Sequence, residues 1–226
     1  MYRPYKMVKG LVMTNPLPLM SEDRLAYSKR ITGNLIRYIN SIFTRDIGIE
    51  IEAILKSNYS IDDFHEAWNN ANLACSEDSD DNEIRIRLNV YDNKISRCLI
   101  DLYLGLELIK KYYKLNRLSG IHYHVDCPEI FLNSNIYRNY DNIVSNQHEW
   151  VFKALSSWNY NEVRGGNIRQ ISICKWSQVR IHTSYKTLEY RIGEMTFDYS
   201  LILKRIIHVI NITNKIVRIY DEHIKN

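Results

Sequence analysis

The segment Ile47–Glu52 alternates isoleucine with glycine and glutamate, and it places two carboxylates close together. Residues two apart on a β-strand point to the same face, so Glu50 and Glu52 would share one surface of a sheet. Adjacent like charges repel unless a cation lies between them, and Mg²⁺ prefers oxygen ligands of this kind. The spacing therefore indicates a metal site or, as the commonest fate of such residues, a solvated strand face.

A second polar pair lies on the segment Gly120–Val125, where His122 and His124 alternate with apolar residues. An imidazole pair at this spacing can bind a metal or a phosphate, and it can equally be two ordinary core or surface histidines. Cys127 follows on the same segment, which raises a Cys–His nucleophile as a further interpretation. Pro128 comes next and no orienting third group is evident, so the sequence does not favour that interpretation.

The third pair consists of Glu189 and Arg191, which would again share one strand face. A glutamate here could bind a metal, and the planar guanidinium fork of arginine suits bidentate contact with a phosphate or a carboxylate. The alternative is a surface ion pair, which would contribute little to stability.

If the three strands belong to one sheet, their polar groups line one surface. Acids and imidazoles for a divalent cation, with arginine for phosphates, are the parts of a nucleotide-dependent phosphoryl-transfer site. The sequence has no P-loop, no kinase catalytic loop and no dinucleotide fingerprint, so metal ions and side chains would have to hold the phosphates. The residues of this predicted surface are Glu50, Glu52, His122, His124, Glu189 and Arg191.

Hydrophobic periodicity predicts the elements that would position these pairs. Helices are expected over Ser21–Phe43, after a capping box at Ser60 and Asp63, over Ser96–Asn116 and Asp141–Trp158, and from Asp198 to about Tyr220. Strands are expected over Ile47–Ile54, Glu83–Leu88, Ile121–Val125, Ile171–Thr183 and Leu188–Ile192, with an acidic loop at Cys75–Asn82. This order predicts an α+β fold whose antiparallel sheet has a polar face and an apolar face covered by helices.

Composition sets the limits of these interpretations. The chain has 226 residues, of which 45% are hydrophobic and 25% charged, which predicts one globular domain and excludes a disordered chain, collagen and a coiled coil. The 30 basic residues exceed the 26 acidic residues by four. That excess is too small to favour a nucleic-acid partner, although it does not exclude one.

Cysteine usage and the apolar runs predict the compartment. The four cysteines are widely separated and form no Cys-x-x-Cys pair, which argues against a thiolate zinc site. The apolar run near the start is short and broken by Asn15, Pro16 and Pro18, and no run approaches the roughly 20 apolar residues that cross a bilayer. We therefore expect no signal peptide, no membrane partner and reduced thiols in a cytoplasm.

The three motifs, taken in order, resemble those of the amidoligases of phages and bacteria, in the carboxylate–amine ligase branch of the glutamine synthetase superfamily. Typical members carry Phe-Gly-Val-Glu-Ile-Glu, Gly-Leu-His-Val-His-Val and Thr-Val-Glu-Phe-Arg. This chain has Gly48-Ile-Glu-Ile-Glu52, Gly120-Ile-His-Tyr-His124-Val and Leu188-Glu-Tyr-Arg191, followed by a long helix. The resemblance covers Ile47 to Ile207.

The resemblance implies a glutamine synthetase-like antiparallel sheet and an ATP- and Mg²⁺-dependent (or Mn²⁺-dependent) ligase that joins a carboxylate to an amine through an acyl phosphate. It implies a single domain, with an N-terminal segment and helix at 1–46, the motif-bearing core at 47–207 and the rest of the final helix at 208–226. It also implies a cytoplasmic location in a bacterium or a phage-infected host cell. The acid, the amine and the oligomeric state stay open.

The family's functional residues transfer to this chain by motif. The implied metal ligands are Glu50, Glu52, His122 and Glu189, with Glu83 on the second strand as a further acidic ligand. The implied catalytic group is Arg191, for phosphate or the substrate carboxylate, together with His124. The implied basic nucleotide contacts are Arg164, Arg169 and Lys175.

Two other functions remain open on the sequence. The small-residue and proline segment that the family carries after its second strand is replaced here by Arg85 to Asn89. A non-catalytic protein of the same fold, acting by binding in a virion or on a host component, is therefore one alternative. A metal-dependent hydrolase or nuclease that uses the same ligands without ATP is the other.

Overall fold

The structure is a computed structural model, and it describes residues 40–88, 95–116, 119–131, 151, 171–172, 178–191 and 193–224. The helices predicted over Ser21–Phe43 and Asp141–Trp158 lie almost entirely outside these ranges. The three predicted nucleotide contacts, Arg164, Arg169 and Lys175, also lie outside them.

The described residues include nine strands and three α-helices with defined bounds, and residues 40–42 are helical as well. The strands are β1 (Ile47–Glu52), β2 (Ile54–Leu55), β3 (Ser76–Ser79), β4 (Glu83–Leu88), β5 (Tyr113–Lys114), β6 (Ile121–Asp126), β7 (Ile171–Ser172), β8 (Val179–His182) and β9 (Thr187–Tyr190). The helices are α1 (Ile61–Ala71), α2 (Ile95–Tyr112) and α3 (Tyr199–Ile224), and a 3₁₀ turn spans Pro128–Phe131.

Seven of the strands form one sheet in the order β3-β4-β1-β6-β9-β8-β7. Every neighbouring pair in it is antiparallel except β7 and β8, which run parallel at one edge. Strands β2 and β5 form a separate two-stranded ribbon. The predicted α+β fold with an antiparallel sheet is confirmed at this level, and its glutamine synthetase-like character stays a prediction.

Period-two alternation creates the two faces of the sheet. In β1 the three isoleucines are fully buried, while Glu50 and Glu52 on the opposite face are partly exposed. Strand β4 repeats the pattern with buried Ile84, Ile86 and Leu88. Residues that face each other across antiparallel strands lie on the same side, so the apolar residues form one continuous surface.

Helices cover that apolar surface. Helix α3 packs against β6, and the buried hydroxyl groups of Tyr190 and Thr213 are 2.8 Å apart where α3 crosses β9. Helix α1 begins with the predicted capping box, in which the Asp63 N–H donates to Ser60 Oγ and the Ser60 N–H donates back to the Asp63 carboxylate. In the residues described, none of the helices has the length and apolar character needed to cross a membrane.

Three local expectations were wrong. The single strand expected over Ile171–Thr183 is two strands, β7 and β8, which pair with each other in parallel. The acidic segment expected to be a loop forms edge strand β3, because its acidic and polar side chains face arginines: Asp78 lies opposite Arg85 and Ser76 opposite Arg87. Opposite charges across a strand pair favour pairing that the composition alone disfavours. Helix α2 ends at Tyr112, earlier than expected, because Tyr113 and Lys114 pair with Leu55 and Ile54.

Helix α1 packs on α2 through the Trp68 ring, which lies against Gly105. A Cβ at position 105 would lie 2.6 Å from Trp68 Cη2, too close for the buried ring to accept. Alanine normally favours a helix over glycine by about 1 kcal/mol, but overpacking typically costs about 1–3 kcal/mol. We expect Gly105→Ala to lower the free energy of unfolding in denaturant titrations.

The smaller side chain of Trp68→Leu should make room for that methyl group. The double variant Gly105→Ala/Trp68→Leu is therefore expected to be more stable than the sum of the two single changes predicts. Additive effects would show that the Trp68 contact does not limit this position.

Candidate functional site

The register of three adjacent strands brings the predicted polar pairs together. Strand β6 lies between β1 and β9, with Glu50 opposite His122 and His124 opposite Glu189. Arg191 directly follows β9 and lies on the same face as Glu189. Two residues that the sequence placed 139 positions apart, Glu50 and Glu189, therefore point to the same side of the sheet.

Glu50 lies between the two imidazoles. Its Oε2 is 3.4 Å from His122 Nδ1 and its Oε1 is 3.2 Å from His124 Nε2. Burial by itself would raise the pKa of Glu50, but the contacts with His122 and His124 outweigh it and hold that pKa far below its usual range. Glu50 is therefore ionised at neutral pH, as a metal ligand must be.

His124 is oriented by a buried hydroxyl group. Its Nδ1 is 3.2 Å from Thr187 Oγ1, and its Nε2 faces Glu50 without the alignment of a hydrogen bond. Donation from Nδ1 to Thr187 Oγ1 would orient the ring so that Nε2 points to Glu50, and a cation could lie between the two. A Cβ on Gly48, the residue opposite His124, would lie 3.2 Å from His124 Cβ, so glycine here gives the imidazole its space.

Glu189 is 1% exposed, although it lies on the polar face of the sheet. Its Oε1 accepts a hydrogen bond from Arg191 Nη1, and its Oε2 accepts one from Arg180 Nη1 at 3.3 Å. His122 Nδ1 is 3.6 Å from Oε1 as well. The ion pair of Glu189 and Arg191 is therefore buried at its carboxylate end and is not the surface pair that the sequence left open.

Glu52 and Glu83 lie opposite each other on β1 and β4, at the edge of this group. Glu52 Oε1 is 3.7 Å from His122 Nε2, and Glu83 Oε2 accepts a 3.0 Å hydrogen bond from Arg85. Burial and then the charge of Glu50 raise the pKa of Glu83, against the opposing effect of Arg85. A cation among these carboxylates would relieve the repulsion that raises this pKa.

The ligand atoms of three site residues lie close enough together to bind one divalent cation. One ligand atom from each of Glu50, His124 and Glu189 lies within 4.8 Å of the other two, the only such group of three or more potential ligands within the residues described. Oxygen ligands suit Mg²⁺ and Mn²⁺, whereas imidazole is more typical of transition metals. A set of two carboxylates and one imidazole therefore suits Mn²⁺ at least as well as Mg²⁺.

The sequence missed two features at the β8 side of the site. Arg180 lies directly opposite Glu189, on a strand where it alternates with Val179 and Ile181, and that alternation was the available signal. The turn after β8 stacks the Tyr185 ring on His182, with centroids 4.3 Å apart and planes 11° apart, and Tyr185 is 60% exposed. No sequence pattern indicated that stack, because it depends on the turn that joins β8 to β9.

The structure thus brings together all of the predicted site residues that it describes: Glu50, Glu52, Glu83, His122, His124, Glu189 and Arg191. Their individual roles stay predictions. Cys127 is fully buried, and burial raises the pKa of its thiol to about 12, in spite of the nearby Arg45. A neutral thiol is a poor nucleophile, so the structure gives no support to a Cys–His mechanism.

Comparisons with known proteins identify no relative. No protein-family model matches the chain, and searches of curated proteins and of solved structures gave no match either.

The contact between Thr187 and His124 leads to a prediction about metal affinity. Partners that orient a metal-binding histidine typically contribute 10–100-fold to affinity. We expect Thr187→Val, which keeps the shape but removes the hydroxyl group, to weaken Mn²⁺ binding by about tenfold or more in a titration followed by electron paramagnetic resonance. Thr187→Ser keeps the hydroxyl group and should bind Mn²⁺ nearly as wild type does. Equal affinity of the valine variant and wild type would remove Thr187 from this role.

Proposed function

We propose that the chain is an ATP- and Mg²⁺-dependent (or Mn²⁺-dependent) carboxylate–amine ligase, which forms an amide through an acyl phosphate. The observation that carries the proposal is the convergence of Glu50, His124 and Glu189 from three different strands within 4.8 Å. The same three strands hold the three motifs that resemble those of the amidoligases. The geometry of the site and the order of the motifs are two separate observations, and both support the ligase function.

Glu50, His124 and Glu189 would hold the cation, and Glu52, Glu83 and His122 lie next to these three residues. A divalent cation supplies charge neutralisation for the terminal phosphate of ATP when both are bound. Glu50 is suited to this role because the two histidines keep it ionised. The strand backbone fixes these side chains before any ligand arrives, so little reorganisation is needed during the reaction.

Arg191 would contact the phosphoryl group that passes from ATP to the substrate carboxylate. Its side chain is 25% exposed, and one guanidinium nitrogen donates to buried Glu189, which leaves other N–H groups for a ligand. Positive charge at this position stabilises the charge that spreads over the phosphoryl oxygens in transfer. The carboxylate oxygen would attack the terminal phosphorus and ADP would leave. The amine would then attack the carbonyl carbon of the acyl phosphate, inorganic phosphate would leave, and the nitrogen would lose a proton to give the amide.

One observation favours a second candidate, a metal-dependent hydrolase. Imidazole and carboxylate ligands together are the set that catalytic zinc sites use to activate water. Such an enzyme would act without nucleotide and would consume no amine. A protein of this fold that acts only by binding would show neither activity.

ADP release measured against a panel of acids and amines tests the proposed function. We expect release to require ATP, Mg²⁺ or Mn²⁺, one acid and one amine, with the amide detected by mass spectrometry. We also expect Mn²⁺ with a non-hydrolysable ATP analogue to raise the melting temperature, because a ligand that binds only the folded state stabilises it. Product formation without nucleotide would support the hydrolase, and the absence of turnover and of any melting shift would support a binding protein of another kind.

Arg191→Lys tests the guanidinium while keeping its charge. Lysine cannot make the bidentate contact, and loss of one such contact to a transferring group typically lowers turnover by roughly 100-fold. We expect that loss in ADP release, with a melting temperature close to that of wild type. Arg218→Lys, the same exchange at an exposed position of α3, serves as the matched control. Normal turnover in Arg191→Lys would exclude Arg191 from the reaction.

A further inference from the structure

The turn between β8 and β9 presents an aromatic ring at the edge of the site. Tyr185 is 60% exposed, and among the residues that the structure describes only Ile54 is another exposed large hydrophobic side chain. His182, the last residue of β8, stacks on one face of the Tyr185 ring, with centroids 4.3 Å apart and planes 11° apart. A ring that is covered on one face reaches this exposure only if much of its other face is open. The stack therefore leaves an aromatic surface free for a ligand.

The main chain of the turn holds this ring in place before any ligand arrives. The Tyr185 N–H donates a 3.4 Å hydrogen bond to His182 Nδ1. The next residue, Lys186, has a φ of 54°, a left-handed conformation that is uncommon for lysine, and its carbonyl oxygen accepts a hydrogen bond from the Cys127 N–H. Strained residues of this kind cluster at ligand sites, where the surrounding structure fixes them. A ring fixed in advance loses little conformational freedom when it binds a ligand.

The ring also lies next to the proposed cation site. The ring of His124, a candidate ligand of the cation, has its centroid 6.1 Å from that of Tyr185 and 5.7 Å from that of His182. His182 lies opposite Thr187, whose hydroxyl group contacts His124. A planar group stacked on Tyr185 would therefore border the cation site.

Distance and charge indicate which ligand carries that planar group. In ATP, a ribose and two further phosphates separate the base from the terminal phosphate, so adenine would lie well away from a cation that holds this phosphate. The acid substrate, in contrast, must bring its carboxylate to the terminal phosphate. Arg180 lies two residues before His182 on the same face of β8, so a positive charge borders the ring. That charge attracts a carboxylate and repels an ammonium group.

We infer that the open face of the Tyr185 ring is an aromatic platform for the acid substrate, which is a carboxylic acid with a planar aromatic ring. The inference rests on the proposed function, because the platform would hold the ring of the acid while its carboxylate reaches the terminal phosphate of ATP. Offset-stacked rings attract each other beyond the effect of their buried area, so the platform distinguishes aromatic acids from saturated acids of similar size. Tyr185 lies outside the three motifs and would determine specificity.

Equilibrium dialysis of naphthoate, a planar aromatic carboxylate, tests the platform in the presence of Mg²⁺ and without nucleotide. We expect wild type to bind naphthoate about fivefold more tightly than its fully saturated decalin analogue, which has the same carboxylate and carbon skeleton but cannot stack. Tyr185→Leu keeps an apolar side chain and should remove this preference. Tyr185→Phe, the matched control, keeps the ring and should retain it. Both variants should melt as wild type does, because the side chain is exposed.

Three results would overturn the platform or its ligand. Equal affinities of wild type for naphthoate and the decalin carboxylate would exclude stacking, and an unchanged preference in Tyr185→Leu would exclude Tyr185. Naphthylamine bound as tightly as naphthoate would overturn the choice of the acid over the amine. Adenosine binding that falls in Tyr185→Leu while naphthoate binding does not would assign the ring to the nucleotide and overturn the inference.

The failure of the platform and the failure of the ligase are distinguishable. Tyr185-dependent naphthoate binding without ADP release would retain the platform and reject the ligase. Amide formation with equal kcat/KM for aromatic and saturated acids, unchanged in Tyr185→Leu, would retain the ligase and reject the platform. If both hold, Tyr185→Leu should raise the KM for an aromatic acid about fivefold and leave kcat close to that of wild type.

Discussion

Strand β6 determines the site, because it is buried on both faces and pairs with β1 on one side and β9 on the other. One face of β6 packs into the core through Ile121, Tyr123 and Val125. The other face carries His122 and His124 between Glu50 and Glu189. A shift of one residue in either pairing would turn the isoleucines of β1 or Leu188 of β9 onto the polar face, at the cost of their burial. Packing of the core therefore fixes the register, and the register fixes the distances among the polar groups.

Ion pairs between neighbouring side chains offset the cost of burying charged groups on the polar face of the sheet. Two histidines keep Glu50 ionised despite burial, two arginines share Glu189, and Arg85 is paired with Glu83. Buried ion pairs often contribute little net stability, since desolvation offsets attraction, but removal of one partner is costly. The face is better explained by ligand binding than by stability, because apolar residues would fill a sheet surface more favourably. Pre-positioned charges of this kind are what electrostatic catalysis requires.

Period-two alternation allowed the faces of β1, β4, β6 and β9 to be predicted, because an isoleucine at every second position has one favourable orientation. It could not give the order of the strands, since pairing depends on contacts between distant segments. The resemblance of the motifs supplied the expectation that these segments meet. Strand β3 was missed because its acidic composition disfavours a strand, and only the arginines of β4 make it one. The burial of Glu189 could not be predicted either, because its partner Arg180 lies on a strand whose register the sequence does not reveal.

The distribution of charge across the sheet limits how a substrate can lie. Carboxylates dominate β1, guanidinium groups dominate the β8–β9 side, and the two histidines of β6 separate them. A cation and a phosphate bound side by side would match this order, with the cation toward Glu50 and the phosphate toward Arg191, as in the proposed function. A hydrolase that activates water needs only the cation site, and an anion-binding protein needs only the phosphate site. A phosphoryl-transfer ligase would use the cation site and the phosphate site together, and this is the physical reason for preferring the ligase as the proposed function.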